Sequence, residues 1–237
     1  MEETRAVRRL SENEKSKFIS RTYGWMALAL FISAASAFAT ASSYTLMRLI
    51  FGHGIVGWAV LAIVEIGVVI WLSASIRKIS VGAAAFGFIF YAVLNGMTLS
   101  SIFFVYQIDS IAMAFFTTAI LFSVMSLYGT RTKRDLTTVG RYLMMALIGV
   151  ILASLIGGLI AFITKTPLNM LNMLVSVATV IIFTGLTAYD SQKIIKTAEY
   201  ATGSDDYKKV SIIAALELYL DFINLLLALL RIFGKKR

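Results

Sequence analysis

Cysteine is absent from the 237 residues, proline and histidine occur once each, and charged side chains make up 15% of the chain. Without cysteine there are no disulfides, no thiol catalysis and no thiolate-held metals. The single His53, set between glycines, excludes any site built from several histidines. Soluble domains carry about 25% charged residues, so the shortage points to a different solvent. Apolar residues fill the gap: 59% of the chain is hydrophobic and the mean hydropathy is +0.82. The chain reads as an all-α, polytopic membrane protein.

Five stretches, 22–47, 79–108, 110–130, 142–164 and 166–189, contain no Asp, Glu, Lys or Arg. Each exceeds the roughly 20 residues that a helix rising 1.5 Å per residue needs to cross the hydrocarbon layer. Two further runs are interrupted by acids alone: 49–76 by Glu65, and 210–230 by Glu217 and Asp221. Seven transmembrane helices are expected, at about 23–44, 54–75, 79–105, 109–129, 141–163, 168–190 and 211–232. They form one transmembrane domain over 1–237, with a polar segment at 1–22 and a basic tail at 233–237. The first 21 residues mix six Lys and Arg with four Glu, and lack the apolar core of a cleavable signal peptide.

Seven crossings from a cytosolic N-terminus place 16 Lys and Arg in the inner segments and two in the outer loops. By the positive-inside rule the N-terminus is therefore cytosolic. The formal net charge of +9 is then a mark of topology. Its basic residues lie in termini and short loops, so the expected partner is a lipid bilayer and not nucleic acid. A seventh crossing puts Arg231, Lys235, Lys236 and Arg237 outside, against the rule. The alternative is a re-entrant last helix; the full length of 210–230, free of Gly and Pro, favours a crossing.

The one substantial polar loop precedes span seven. Gly203 suits a helix C-cap, Ser204 an N-cap, and Asp205 with Asp206 a helix N-terminus. Span six is accordingly expected to run about three turns into the cytosol. Ser33, Ala37 and Ala41 in span one, and Gly149, Ala153 and Gly157 in span five, have the spacing of close helix contacts.

The informative charges are carboxylates. An ionised carboxylate at the bilayer centre costs about 2.5–3.5 kcal/mol on insertion scales, so such groups usually face a cavity or a partner. Asp190 closes span six on the cytosolic side; Asp221 lies ten residues into span seven, about 15 Å deeper. Glu217 sits one turn before Asp221 on the same face. The three outline an acidic path from the cytosol to mid-membrane. Two carboxyls in a poorly solvated site do not both ionise cheaply and tend to share a proton. When ionised, their oxygens suit a hard cation such as Ca²⁺. Arg77, ending span two on the same side, can bridge carboxylates as a latch, or serve as an ordinary positive-inside anchor. Glu65, in mid-span, either lines the same cavity or keeps its proton and bonds a neighbour such as Asn95 or Asn224.

Two runs carry a family likeness: Thr187-Ala188-Tyr189-Asp190-Ser191-Gln192-Lys193-Ile194, and Ala215-Leu216-Glu217-Leu218-Tyr219-Leu220-Asp221-Phe222-Ile223-Asn224. With Asn95-Gly96-Met97-Thr98-Leu99-Ser100-Ser101 and Leu230-Arg231-Ile232-Phe233-Gly234, the chain resembles the transmembrane Bax inhibitor motif family along all seven spans. The resemblance implies a bundle around a central last helix, acting as a pH-sensitive calcium leak in a bacterial inner membrane. It implies that Asp190 and Asp221 form the proton-sensing and ion-binding pair, and the metal ligands if Ca²⁺ rests there. It implies Arg77 as gating latch, although the chain reads Ser75-Ile76-Arg77 where many relatives read Arg-Ile-Arg. Glu65 and Glu217 would line the pore. No cofactor besides Ca²⁺ is implied; a membrane protease is a candidate protein partner.

An intramembrane aspartyl protease is the enzymatic rival, since it also places a Tyr-Asp on span six and an Asp on span seven. Leu220-Asp221 lacks the Gly-x-Gly-Asp of that class, and Pro167 is the lone proline, so no Pro-Ala-Leu element follows. A scaffold that restrains a partner is the third class, and it leaves Asp221 without a role. The expectation is a channel and not an enzyme.

Overall fold

The computed structural model describes residues 12–52, 54–76, 78–198 and 204–237. Among them the chain forms nine helices: α1 Glu12–Ser42, α2 Tyr44–Phe51, α3 Ile55–Ser75, α4 Val81–Leu99, α5 Ile102–Val105, α6 Ile108–Arg131, α7 Thr137–Thr164, α8 Asn169–Ala198 and α9 Ser204–Phe233. Seven apolar helical stretches are long enough to cross a membrane. The spans expected from charge-free runs are therefore present, with α4 and α5 together making the third.

Three boundaries differ from the sequence reading. The segment read as a polar lead over 1–22 is helical from Glu12. Phe18, Thr22, Met26, Ala29, Ser33, Ala37 and Thr40 are all buried, three or four residues apart, so one stripe runs the length of α1. The charges of Lys17 and Arg21 fall on exposed faces, and half-buried Lys15 stands at the head of the stripe, one turn before Phe18. Phe18 meets the edge of Tyr207 at 4.7 Å, and the Tyr207 hydroxyl donates to the Glu14 carbonyl at 2.6 Å.

Span three is not one helix but two. The Ser100 hydroxyl donates to the Met97 carbonyl at 2.6 Å and the Ser101 hydroxyl to the Thr98 carbonyl at 2.9 Å. Such side-chain bonds compete with the helical ladder, and the chain turns at these two serines before α5. Span five starts at Thr137, four residues ahead of Arg141, because Asp135 accepts from both the Thr137 amide (3.1 Å) and its hydroxyl (2.6 Å). Span six continues eight residues past Asp190, to Ala198. Gly203 lies outside the described residues, as do His53 and Arg77. Asp205 and Asp206 stand in the first turn of α9 as expected.

Positive φ occurs at two described residues. Gly54, at φ 62°, starts α3, and Lys165, at φ 54°, ends α7 two residues before Pro167. Of the small residues expected at close contacts, Ser33 and Ala37 are buried. A methyl group at Gly157 would overlap Leu171, whereas one at Gly149 would meet nothing within 4 Å. Gly149 does not mark a helix contact.

The chain divides into two compact units. One holds the chain through Val105 with Ile194–Tyr219; the other holds Tyr106–Lys193 with Leu220–Arg237. In the first, α1 lies against α4: a methyl group at Gly96 would overlap the Ser33 carbonyl oxygen, and Ser36 donates to the Val93 carbonyl at 2.8 Å. In the second, Ile182, Phe183 and Leu186 of α8 pack with Leu225 and Leu229 of α9. Phe222 meets the rings of Phe115 and Phe122 at 5.5 and 5.6 Å. Helix α9 serves both units and is the best covered of the seven spans, 72% of its apolar window being buried against 6% in α3 and α7. This agrees with a central last helix, and leaves the bare apolar faces of α3 and α7 to lipid.

The C-terminal tail decides between crossing and re-entry. Lys236 pairs with Tyr106 in an isolated antiparallel bridge, the Gln107 amide donates to the Lys235 carbonyl at 3.0 Å, and the Lys235 amide donates to the Ser110 hydroxyl at 3.1 Å. The tail thus lies on the side of the membrane where α6 begins. That side is three crossings before the α8–α9 turn, so α9 spans the membrane and does not fold back.

Candidate functional site

The site is built on the end of span six. The four residues around Asp190 are each held by α6, α7 or the loop between them. A methyl group at Gly129 of α6 would overlap the Ala188 carbonyl oxygen, so the backbones of α6 and α8 touch there. The ring of Tyr189 lies on Gly140 of α7. The hydroxyls of Ser191 and Ser126 share a hydrogen bond of 2.9 Å. Gln192 binds the loop with both ends of its amide: its Oε1 accepts from the Leu136 amide at 2.9 Å and its Nε2 donates to the Arg134 carbonyl at 2.7 Å. These contacts fix the rotation of α8, and with it the direction of Asp190. Charge patterning found the aspartate but not this clamp; the signal available in sequence was the pair of small residues Gly129 and Gly140 facing a Tyr-Asp-Ser-Gln run.

Asp221 is 4% exposed, on the helix that is best covered. Its level relative to Asp190 follows from register. Helices α8 and α9 are consecutive spans and run antiparallel, and their shared core holds Leu186 with Leu225. Asp190 follows Leu186 by four residues and Asp221 precedes Leu225 by four, so both stand one turn from this core on the side of the α8–α9 turn. Asp190 is half-buried. Both aspartates belong to the same unit.

Glu217 is half-buried, one turn before Asp221 on α9. Glu65 lies ten residues from either end of α3, and is also half-buried. Thr98 donates its hydroxyl to one Glu65 oxygen, and Asn95 lies 3.3 Å from the other. Of the two asparagines considered as its neighbour, Asn95 is the one present. Asn224 instead donates to the Leu220 carbonyl of its own helix at 2.8 Å. Arg77 lies outside the described residues, so its part as a latch has no geometry.

Beyond Asn95 the polar contacts continue to a residue whose part the charge pattern did not show. The Tyr219 hydroxyl is 2.9 Å from Asn95 Oδ1 and 2.6 Å from the Ser33 hydroxyl, which reaches the Ala92 carbonyl at 2.7 Å. Tyr219 is fully buried, its ring crossed by Phe88 and Tyr91, each at 5.9 Å. A tyrosine inside an apolar helix requires a partner for its hydroxyl, which was the legible sign.

Among the described residues no group of three or more His, Asp or Glu gathers as a metal site. Ca²⁺ takes six to eight oxygens, and two carboxylates offer at most four.

A seven-span, all-helical protein of this composition is an integral membrane protein. The family model described as "Inhibitor of apoptosis-promoting Bax1" matches residues 15–237. The chain is 46% identical over 224 residues to the Inner membrane protein YbhL of Escherichia coli K12, covering 93% of this chain and 92% of that one. It is 42% identical to an uncharacterized protein of Borreliella burgdorferi, over 94% of both chains. The chain belongs to the Bax inhibitor-1 family.

Proposed function

We propose that this protein is a pH-sensitive leak for calcium in the bacterial inner membrane, gated by a proton held between Asp190 and Asp221. The observation that carries the reading is a carboxyl side chain only 4% exposed, in the best-covered helix and one turn from an apolar core shared with the helix that carries a second aspartate. Burying an unpaired carboxylate there costs several kcal/mol, which protonation or a partner offsets, so its presence in place of an apolar residue supports a functional role. The E. coli relative's name as an inner membrane protein supports the location. The N-terminus is cytosolic in this reading, with α8 carrying Lys193 and Lys196 beyond Asp190 on the same side.

In this mechanism the aspartates share a proton at acid pH, and the path opens. At higher pH both ionise and flux falls. Glu217, one turn before Asp221, attracts the cation toward the pair. No covalent bond is made or broken. Purified protein in liposomes loaded with a calcium dye tests it. Flux is expected to rise as pH falls, and Asp190→Asn or Asp221→Asn to remove most of that pH dependence. Wild-type liposomes silent at every pH would end the proposal.

A further inference from the structure

The chain of polar contacts in the first unit can be counted in hydrogens, and the count identifies where a proton must be. Five contacts run in series: Thr98 to Glu65, Glu65 to Asn95, Asn95 to Tyr219, Tyr219 to Ser33, and Ser33 to the Ala92 carbonyl. The threonine, tyrosine and serine hydroxyls bring one hydrogen each, and the asparagine amide brings one to either Glu65 or Tyr219, since its oxygen occupies the other side. With Glu65 ionised there are four hydrogens for five contacts.

The shortage cannot be moved out of the buried region while Asn95 Nδ2 faces Glu65. Asn95 Oδ1 and the Ala92 carbonyl are both pure acceptors, and three contacts between them share the two hydrogens of Tyr219 and Ser33. Tyr219, Ser33 and Asn95 are 0%, 1% and 8% exposed, so water is not at hand to supply the missing one. Turning the amide over repairs this segment: Nδ2 donates to Tyr219, Tyr219 to Ser33, and Ser33 to Ala92. Amide orientation is set by such networks, the nitrogen and oxygen being similar in shape. The amide oxygen then faces Glu65, and two acceptors meet unless Glu65 carries a hydrogen. A protonated Glu65 donating to Asn95 Oδ1, with Thr98 donating to its other oxygen, gives five hydrogens for five contacts.

We infer that Glu65 is a proton-binding site distinct from the aspartate pair, and that its proton completes a hydrogen-bonded chain from α3 through α4 and α9 to α1. Losing that proton leaves one buried contact without a hydrogen and weakens the junction of α1, α4 and α9 at Tyr219. The inference does not rest on ion transport or on Asp190 and Asp221.

The surroundings are consistent with a site governed by this count. Glu65 stands about 15 Å from either end of α3. The titratable groups around the chain are Tyr219 and Tyr91, whose rings meet at 5.9 Å. In α1 the described charged residues end at Arg21, twelve residues before Ser33, and α2, which packs on α3, carries Arg48 in its last turn. Glu217 and Asp221 lie two residues to either side of Tyr219, about 200° around α9 on its opposite face.

Infrared difference spectra of the purified protein in lipid nanodiscs test the inference through the carbonyl stretch of a protonated carboxylic acid. At neutral pH the wild type should show such a band, Glu65→Gln should lose it, and Asp221→Asn should keep it. Removing one hydroxyl from the chain also removes the need for the extra hydrogen. In Tyr219→Phe, three contacts remain for the three hydrogens of Thr98, Asn95 and Ser33, with Glu65 ionised. In Ser33→Ala the count again balances with three. Both variants should therefore lose the Glu65 band at a pH lower by roughly half a unit or more. Burial alone predicts no such shift, because neither variant exposes Glu65. An acid band unchanged by Glu65→Gln, or a Glu65 titration unmoved in both Tyr219→Phe and Ser33→Ala, overturns the inference.

Discussion

The two halves of α9 are built on opposite principles. The first, ending at Tyr219, meets α1 and α4 through a buried tyrosine whose hydroxyl joins a serine and an asparagine. The second, beyond Asp221, meets α8 through Leu225 and Leu229 in a core of Ile182, Phe183 and Leu186. An apolar core is held by volume and area, tolerates shape-conserving change and does not respond to pH. A polar core is held by a count of hydrogens that is either complete or not, and it responds to a single proton. One helix thus carries a passive joint and a titratable one.

The comparison breaks most readily on the apolar side. Leu225 is fully buried, and Leu225→Ala is expected to cost about 3 kcal/mol through lost burial and a residual cavity. The loss should be equal at pH 6 and pH 8, read as the thermal midpoint in detergent. A pH-dependent loss would show that the titration of Asp221, one turn away, reaches this apolar core. On the polar side, Tyr219→Phe is expected to cost less, about 1 kcal/mol at acid pH. The sign of its pH dependence follows from the proton on Glu65. That proton stabilises the wild type at low pH and its contribution is lost as pH rises through the titration, so the gap between wild type and Tyr219→Phe should narrow toward alkaline pH. A gap that is constant or widens contradicts the polar half as a titratable joint.

The fold was legible because the hydrocarbon layer acts on composition: a run without charge long enough to cross is a span, whatever its tertiary contacts. Asp221 was legible for the same reason, as a charge where charge is costly. Contacts that leave no mark on composition were not legible. The first turns of α1 carry charges before and beside a buried stripe that begins at Phe18, so a charge-free window starts ten residues late. The Ser100–Ser101 break depends on hydroxyls turning back to carbonyls at 2.6 and 2.9 Å, which the same residues do not do in every apolar run. The small-residue spacing over Gly149 and Gly157 describes one face of α7, and a neighbour covers only Gly157. Gln192 and Lys235 bind backbone, and any sequence offers backbone.

The smallest expected effect draws the sharpest boundary between the two halves. Asn224 lies five residues beyond Tyr219, in the apolar half, and resembles Asn95 as a candidate neighbour for Glu65. Its amide is used within its own helix, on the Leu220 carbonyl, a group that already takes part in the helical ladder. Losing such a supplementary bond should cost about 0.5 kcal/mol or less, partly offset by the better helix propensity of alanine. Asn224→Ala should therefore shift the thermal midpoint little and leave the Glu65 acid band where the wild type has it, while Tyr219→Phe moves it. An equal shift in both variants would extend the titratable chain past Leu220 and erase the distinction between the halves.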